Sequence, residues 1–121
     1  MWDWLPTFCE VAEVKQSYHS DGISLLPSLL QESQDQKHEF LYWEFPAYGG
    51  QQAVRMGKWK AIRQNMFKEN LDIELFDLEN DIACQINVAA ENPEVISKIE
   101  AIMKSEHQTS AVERFLIPVI E

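Results

Sequence analysis

Between Trp4 and Val14 the apolar residues Trp4, Leu5, Phe8, Val11, Ala12 and Val14 recur at intervals of mainly three and four, the spacing of one face of an α-helix. Asp3 stands ahead of them as an N-cap, and Pro6 falls in the first turn, where a missing N–H costs nothing. A polar stretch from Lys15 to Gly22 follows. Ile23-Ser24-Leu25-Leu26-Pro27-Ser28-Leu29-Leu30 is then dense in apolar residues beside the polar run from Gln31 to Lys37. A piece that short cannot bury itself and calls for a larger surface.

Near residue 38 the period changes. Phe40-Leu41-Tyr42-Trp43-Glu44-Phe45 is dominated by residues that favour a strand, and Pro46 and Gly49-Gly50 end it. Ala53-Val54-Arg55-Met56 and Trp59-Lys60-Ala61-Ile62 flank Gly57-Lys58, and glycine at the first central position predicts a type II′ hairpin. That two-residue turn sets Met56 opposite Trp59 and Arg55 opposite Lys60. A fourth strand is expected at Ile73-Glu74-Leu75-Phe76-Asp77-Leu78, closed by a turn at Glu79-Asn80-Asp81. Asn92 as N-cap and Pro93 at the first helical position then open a helix to about Glu106, with Val95, Ile96, Ile99, Ile102 and Met103 on one stripe.

These elements predict an α+β fold: a four-stranded antiparallel sheet with a long C-terminal helix on one face, preceded by a short helical N-terminal segment. The division is residues 1–37 and residues 38–121. The tail from Ser110 to Glu121, with Phe115-Leu116-Ile117, is expected to add an edge segment.

With 121 residues the chain holds at most one domain of typical size, about 150 residues. A hydrophobic share of 45% gives it enough apolar mass for a core and excludes a disordered chain. Ten basic against 20 acidic residues leave a net charge of -10, which repels polyanions and argues against a nucleic-acid partner. No apolar run approaches the roughly 20 residues of a membrane helix, so no membrane partner is expected, and Met1-Trp2-Asp3-Trp4 is not the start of an export signal. Cys9 and Cys84 belong to no metal-binding or redox spacing and are expected as free thiols.

His19, His38 and His107 are not spaced as metal ligands, and a surface or loop position is the expectation for each. His38 stands apart because it opens the aromatic strand, where it would face a pocket at the sheet end. From Phe45 to Lys68 there is no acidic residue, while Arg55, Lys58, Lys60, Arg63 and Lys68 supply five of the ten basic residues. Arg55 and Lys60, face to face, repel unless an anion or a carboxylate such as Glu44 lies between them, and a salt bridge within the sheet is the plainer outcome. Of the aromatic residues, most are expected in the core, with Tyr48 in the Pro/Gly loop as the exposed ring. No G-x-S-x-G, P-loop, Rossmann glycine pattern or H-E-x-x-H is present.

Five segments in order carry a resemblance: Asp21-Gly22-Ile23-Ser24-Leu25-Leu26-Pro27, Glu39 to Phe45, Gln52 to Lys60, Glu74 to Asp81, and Asn87-Val88-Ala89. Together they resemble the C-terminal part of the arylsulfatase family, and Met1 to Thr7 resembles the helix that leads out of those enzymes' catalytic domain. The resemblance implies a C-terminal subdomain of a sulfuric ester hydrolase, with the catalytic domain as its partner and a substrate-pocket wall at the loop from Phe45 to Gln52. It also implies a formylglycine made from a C-x-P-S-R cysteine, and calcium, both held by the larger domain. Cys9 precedes Glu10-Val11-Ala12-Glu13 and Cys84 precedes Gln85-Ile86-Asn87-Val88, so this chain carries no such motif and, alone, is expected to be inactive. Where the family has a Pro-Gly-Glu type turn, the chain has Asp81-Ile82-Ala83-Cys84. His38, Tyr48 and Arg55 are the candidates for substrate contact; no catalytic or metal-binding residue is assigned. The family is often periplasmic, secreted or lysosomal. A free-standing interaction or carbohydrate-binding module is the alternative function, and the apolar N-terminal segment points to self-association when no partner covers it.

Overall fold

The computed structural model describes residues 2–15 and 19–121; Met1 and the middle of the polar stretch after Lys15 lie outside the described residues. The chain forms two compact units, one ending at His38 and one running from Glu39 to Glu121.

In the first unit, α1 spans Trp4–Val11 and a single turn, α2, spans Leu26–Leu29. Asp3 occupies the N-cap position, but its side chain does not cap the helix. Its Oδ1 instead accepts the Ile23 N–H at 2.9 Å and meets His38 Nε2 at 2.8 Å. Thr7 Oγ1 donates to the Asp3 carbonyl at 2.6 Å and accepts the Leu25 N–H at 2.9 Å. Residues 3–7 are thus tied to residues 23–25 by polar groups. Gly22 permits the close approach, since a Cβ there would lie 2.3 Å from the Trp2 carbonyl oxygen. The buried residue of α1 is Thr7, whereas Trp4, Leu5, Phe8 and Val11 are exposed, Phe8 to 61%. The helical period is as expected, with its apolar stripe turned outward.

The second unit is an antiparallel meander, β1 (Leu41–Phe45), β2 (Gln51–Met56), β3 (Trp59–Gln64) and β4 (Ile73–Asp77), in the order β1-β2-β3-β4. Met56 pairs with Trp59 and Arg55 with Lys60, as the two-residue turn requires. Gly57 has φ 56° and Lys58 is not left-handed, which is the type II′ pattern rather than I′. The outer edge of β4 is covered: Asn87 Oδ1 accepts the Leu75 N–H and the Val88 N–H donates to the Leu75 carbonyl. This blunts an edge that would otherwise be open to pairing. At the Asp81 turn, the carboxylate accepts the N–H groups of Gln85 and Ile86, and Cys84 takes a left-handed φ of 54°.

Helix α3 spans Pro93–Glu106, the predicted extent. Asn92 precedes it without capping it; the amide donates to the Val88 carbonyl. Ile99 and Met103 bury against Val54, Ala61, Ile73 and Leu75, with Tyr42, Met56, Trp59, Val95, Ile96 and Ile102 packed around them. This is an α+β fold with one sheet face under the helix. The tail does not add the expected edge strand: it forms a 3-10 turn at Glu113–Phe115 and buries Ile117, whose side chain reaches Gly50. Phe115 and Val112 stay exposed, so the tail lacks the alternating burial of a strand.

Ile99 is fully buried between α3 and the sheet, so Ile99→Ala is expected to lower unfolding stability by about 2–5 kcal/mol. Lys98→Ala, one residue away on the exposed side, should stay within about 0.5 kcal/mol. Urea unfolding of the full chain measures both; equal midpoints would refute the packing.

Candidate functional site

Alternation sorts the second unit's chemistry onto two sheet faces, because residues paired directly across antiparallel strands share a face. Under α3 lie the rows Met56–Trp59–Asp77, Tyr42–Val54–Ala61–Leu75 and Glu44–Gln52–Arg63–Ile73. The opposite face carries Leu41–Arg55–Lys60–Phe76, Trp43–Ala53–Ile62–Glu74 and Phe45–Gln51–Gln64.

The last helix-side row is a polar ladder. Gln52, 1% exposed, donates from Nε2 to Glu44 Oε2 and to the Tyr42 hydroxyl, both at 3.0 Å, and its Oε1 accepts Arg63 Nη1 at 3.0 Å. Tyr42 donates its hydroxyl proton to the same Glu44 oxygen. His107, immediately after α3, sets Nδ1 2.9 Å from Glu44 Oε2. Its Nε2 is buried without a hydrogen bond, 3.8 Å from Glu121 Oε2. Burial pushes the Glu44 pKa up, but hydrogen bonds from Tyr42, His107 and Gln52 outweigh it and hold the carboxyl below its usual value. Burial also raises the Tyr42 phenol, and the bond to Glu44 and its charge raise it further. A carboxylate held ionised by three donors beside a phenol held protonated is an arrangement for fixing strands and helix end. Sequence reasoning missed the ladder: His107 was expected at a surface or loop position and does lie in a loop just after α3, but its side chain is only 13% exposed. The available signal was parity, which puts Glu44, Gln52 and Arg63 in one register row.

The predicted contact residues are distributed between the units. His38 belongs to the first, with Nε2 engaged by Asp3; burial raises the Asp3 pKa, while the Ile23 N–H and His38 bring it below the usual carboxylate value. Tyr48 and Arg55 belong to the second. Tyr48 is 84% exposed at φ 52°, with its ring centroid 6.0 Å from that of Phe45. The loop that presents it is fixed by backbone bonds from Met66 and Phe67 to the Gly50 and Gly49 carbonyls. Arg55 is exposed on the open sheet face. Glu44 cannot lie between Arg55 and Lys60, because it faces α3 while they face away. Lys60 Nζ lies 3.5 Å from Cys84 Sγ, and the salt bridge of the sheet is made by Lys58 to Asp77 at 2.8 Å.

Among the described residues no three or more His, Cys, Asp or Glu side chains gather as a metal-binding group. The sequence has no C-x-P-S-R segment, so neither cysteine stands in a formylglycine motif. No helix among the described residues is long and apolar enough to cross a membrane.

No protein-family model matches the chain. A sulfatase of Formosa agariphila is 33% identical over 104 residues, covering 75% of this chain and 19% of that protein. A Bacteroides thetaiotaomicron protein provisionally classed as a sulfatase superposes with a TM-score of 0.74 at 23% identity, over 93% of this chain and 27% of its own. A 2-O GAG sulfatase gives 0.72 at 25% identity, over 85% and 23%. The fold also recurs in the phosphonate monoester hydrolase of Agrobacterium radiobacter, with a TM-score of 0.62 at 22% identity, over 93% of this chain and 27% of that one. The chain therefore spans about a fifth of the length of the curated relative.

Glu44→Gln tests the ladder. Since the folded-state pKa of Glu44 is depressed, its contribution is complete above the unfolded value, about 4.3, and is lost as pH falls through the folded value. The variant should lose about 1–3 kcal/mol at pH 7, and its gap to the parent should narrow below about pH 4. A pH series of urea midpoints reads this; a gap constant with pH would refute it. In sequence the chain is similar to a segment of a sulfatase, and its fold recurs as a part of solved sulfatases.

Proposed function

We propose that the chain acts as the C-terminal subdomain of a sulfuric ester hydrolase, supporting a catalytic domain and forming a wall of its substrate pocket. The observation that carries this reading is the outward apolar stripe of α1, Trp4, Leu5, Phe8 and Val11, which has its buried side on the polar Thr7. A stand-alone domain has no reason to invert an amphipathic helix; a docking one does. The open sheet face supports it, with Trp43 and Phe45 exposed. Uncovered, these surfaces favour self-association.

In this reading the loop from Phe45 to Gln52 borders the pocket, with Tyr48 and Arg55 of the second unit and, separately, His38 of the first as candidates for substrate contact. The formylglycine and calcium of the family supply the nucleophile and the charge stabilisation from the larger domain. The sulfate ester, rather than a phosphonate, is favoured because the 33% identical relative is a sulfatase. The likeness to a 2-O GAG sulfatase supports a sulfated sugar as the substrate class.

The 121-residue chain alone should give no turnover of 4-nitrophenyl sulfate, and the frame upstream of the Met1 codon should encode C-x-P-S-R. In the intact enzyme, Arg55→Ala should raise KM about tenfold with kcat within about twofold. Hydrolysis by the isolated chain, or a stop codon directly upstream, would overturn the reading and leave the free-standing module.

A further inference from the structure

The polar ladder under α3 ends in a cation that makes no close ion pair among the described residues. Arg63 is 8% exposed, and its guanidinium donates from Nε to the Leu71 carbonyl and from Nη1 to Gln52, each at 3.0 Å. It forms no ion pair among the described residues. Its Nη2 has no partner there and is not sealed, since the buried side-chain atom left without a hydrogen bond is His107 Nε2. Burial pulls the Arg63 pKa below its usual value, against the opposing charge of Glu100. A desolvated charge paired only with neutral acceptors keeps much of its desolvation cost.

Beside it opens a cleft of about 290 Å³, whose polar lining is Gln52, Arg63, Glu100, Lys104 and His107. Leu71, Met103, Val119 and Ile120 make up the apolar remainder. Lys104 also forms no ion pair among the described residues, and Glu100 stands one turn before it on α3. Of the charged residues that line the cleft, Arg63 and Lys104 are cations and Glu100 is an anion, and the carboxylates of Glu44 and Glu121 stand next to its lining residue His107. His107 is engaged by Glu44 through Nδ1, and its Nε2 is buried. Two cations with these carboxylates close by suit a monoanion, because a dianion would bring excess negative charge against Glu100, Glu44 and Glu121. An apolar cavity of about 150 Å³ already holds benzene, so this cleft accepts a ring-sized body as well as a head group.

We propose that the cleft binds a monoanionic organic ligand, its carboxylate or sulfate-ester head on Arg63 and Lys104 and its apolar body against Leu71, Val119 and Ile120. The planar guanidinium and the mobile ammonium together suit an oxyanion. The proposal does not rest on the sulfatase reading, since every group in it belongs to this chain.

Isothermal titration of the full chain with phenyl sulfate and with benzoate tests it, using benzyl alcohol as the neutral analogue and phenyl phosphate as the dianion. At least one of the two monoanions should bind at a single saturable site, and the tighter of the two identifies the head. Benzyl alcohol should bind at least about tenfold more weakly, and phenyl phosphate should bind more weakly than the better monoanion. Lys104→Gln should weaken binding several-fold and Glu100→Gln should strengthen it. Both positions are exposed, so these variants decide the matter even where Arg63→Gln fails to fold. Failure of both monoanions to saturate, equal binding of benzyl alcohol, or affinities unmoved by Lys104→Gln and Glu100→Gln would overturn the proposal.

Discussion

The register of one hairpin decides what every strand presents. With Gly57 at φ 56° closing a two-residue turn, Met56 meets Trp59, and every pair back to Gln51 and Gln64 follows. Because side chains alternate with a period of two, a slip of one residue would carry Val54 and Ala61 to the open face and bring Arg55 or Lys60 under α3. The helix would then lose the surface on which Ile99 and Met103 bury. Hairpin and helix thus enforce each other: the turn sets the register, and the apolar stripe of α3 penalises any other.

The polar ladder is the exception that this packing tolerates. Gln52 and Arg63 are buried at strand positions where apolar residues would be the simpler choice, and Gln52 and Arg63 gain partners only because Glu44, Tyr42 and the Leu71 carbonyl stand in register. Such a network specifies geometry more than it adds stability, because each member removed leaves others unsatisfied. His107 extends it from the sheet to the end of α3, so the helix terminus is located by a hydrogen bond as well as by apolar contact.

Much of this architecture was legible in the chain. Strong signals were local and redundant: Gly57-Lys58 between two β-prone runs, and Asn92-Pro93 ahead of a clean helical stripe, gave register and helix bounds. The errors arose where a side chain had two local options. Asp3 and Asn92 are good caps in isolation, yet each bonds elsewhere, Asp3 to residues distant in sequence. His107 sits in a loop, as expected, but its burial could not be read because its partner Glu44 lies 63 positions away, and no spacing rule spans that distance. The tail was misread because Phe115-Leu116-Ile117 is apolar without alternation, while only Ile117 is buried. The candidate contact residues were found by composition and loop chemistry; their burial and partners required the fold.

The acid-free stretch from Phe45 to Lys68 gains meaning from the same alternation. In an acidic protein, five cations concentrated in one hairpin and its extension form a single basic patch in the sequence. The strand period divides it: Arg55 and Lys60 emerge on the open face, Arg63 turns under α3, and Lys58 at the turn is neutralised by Asp77. Mutual repulsion within the hairpin is thereby reduced, since Arg63 is screened from Lys60 by the sheet itself. Each face is left with cations lacking a carboxylate partner in an otherwise anionic chain. Against the long-range repulsion of anions by the net charge, cations thus stand at two places with different surroundings: the sheet surface away from α3 and a half-apolar cleft beneath the helix.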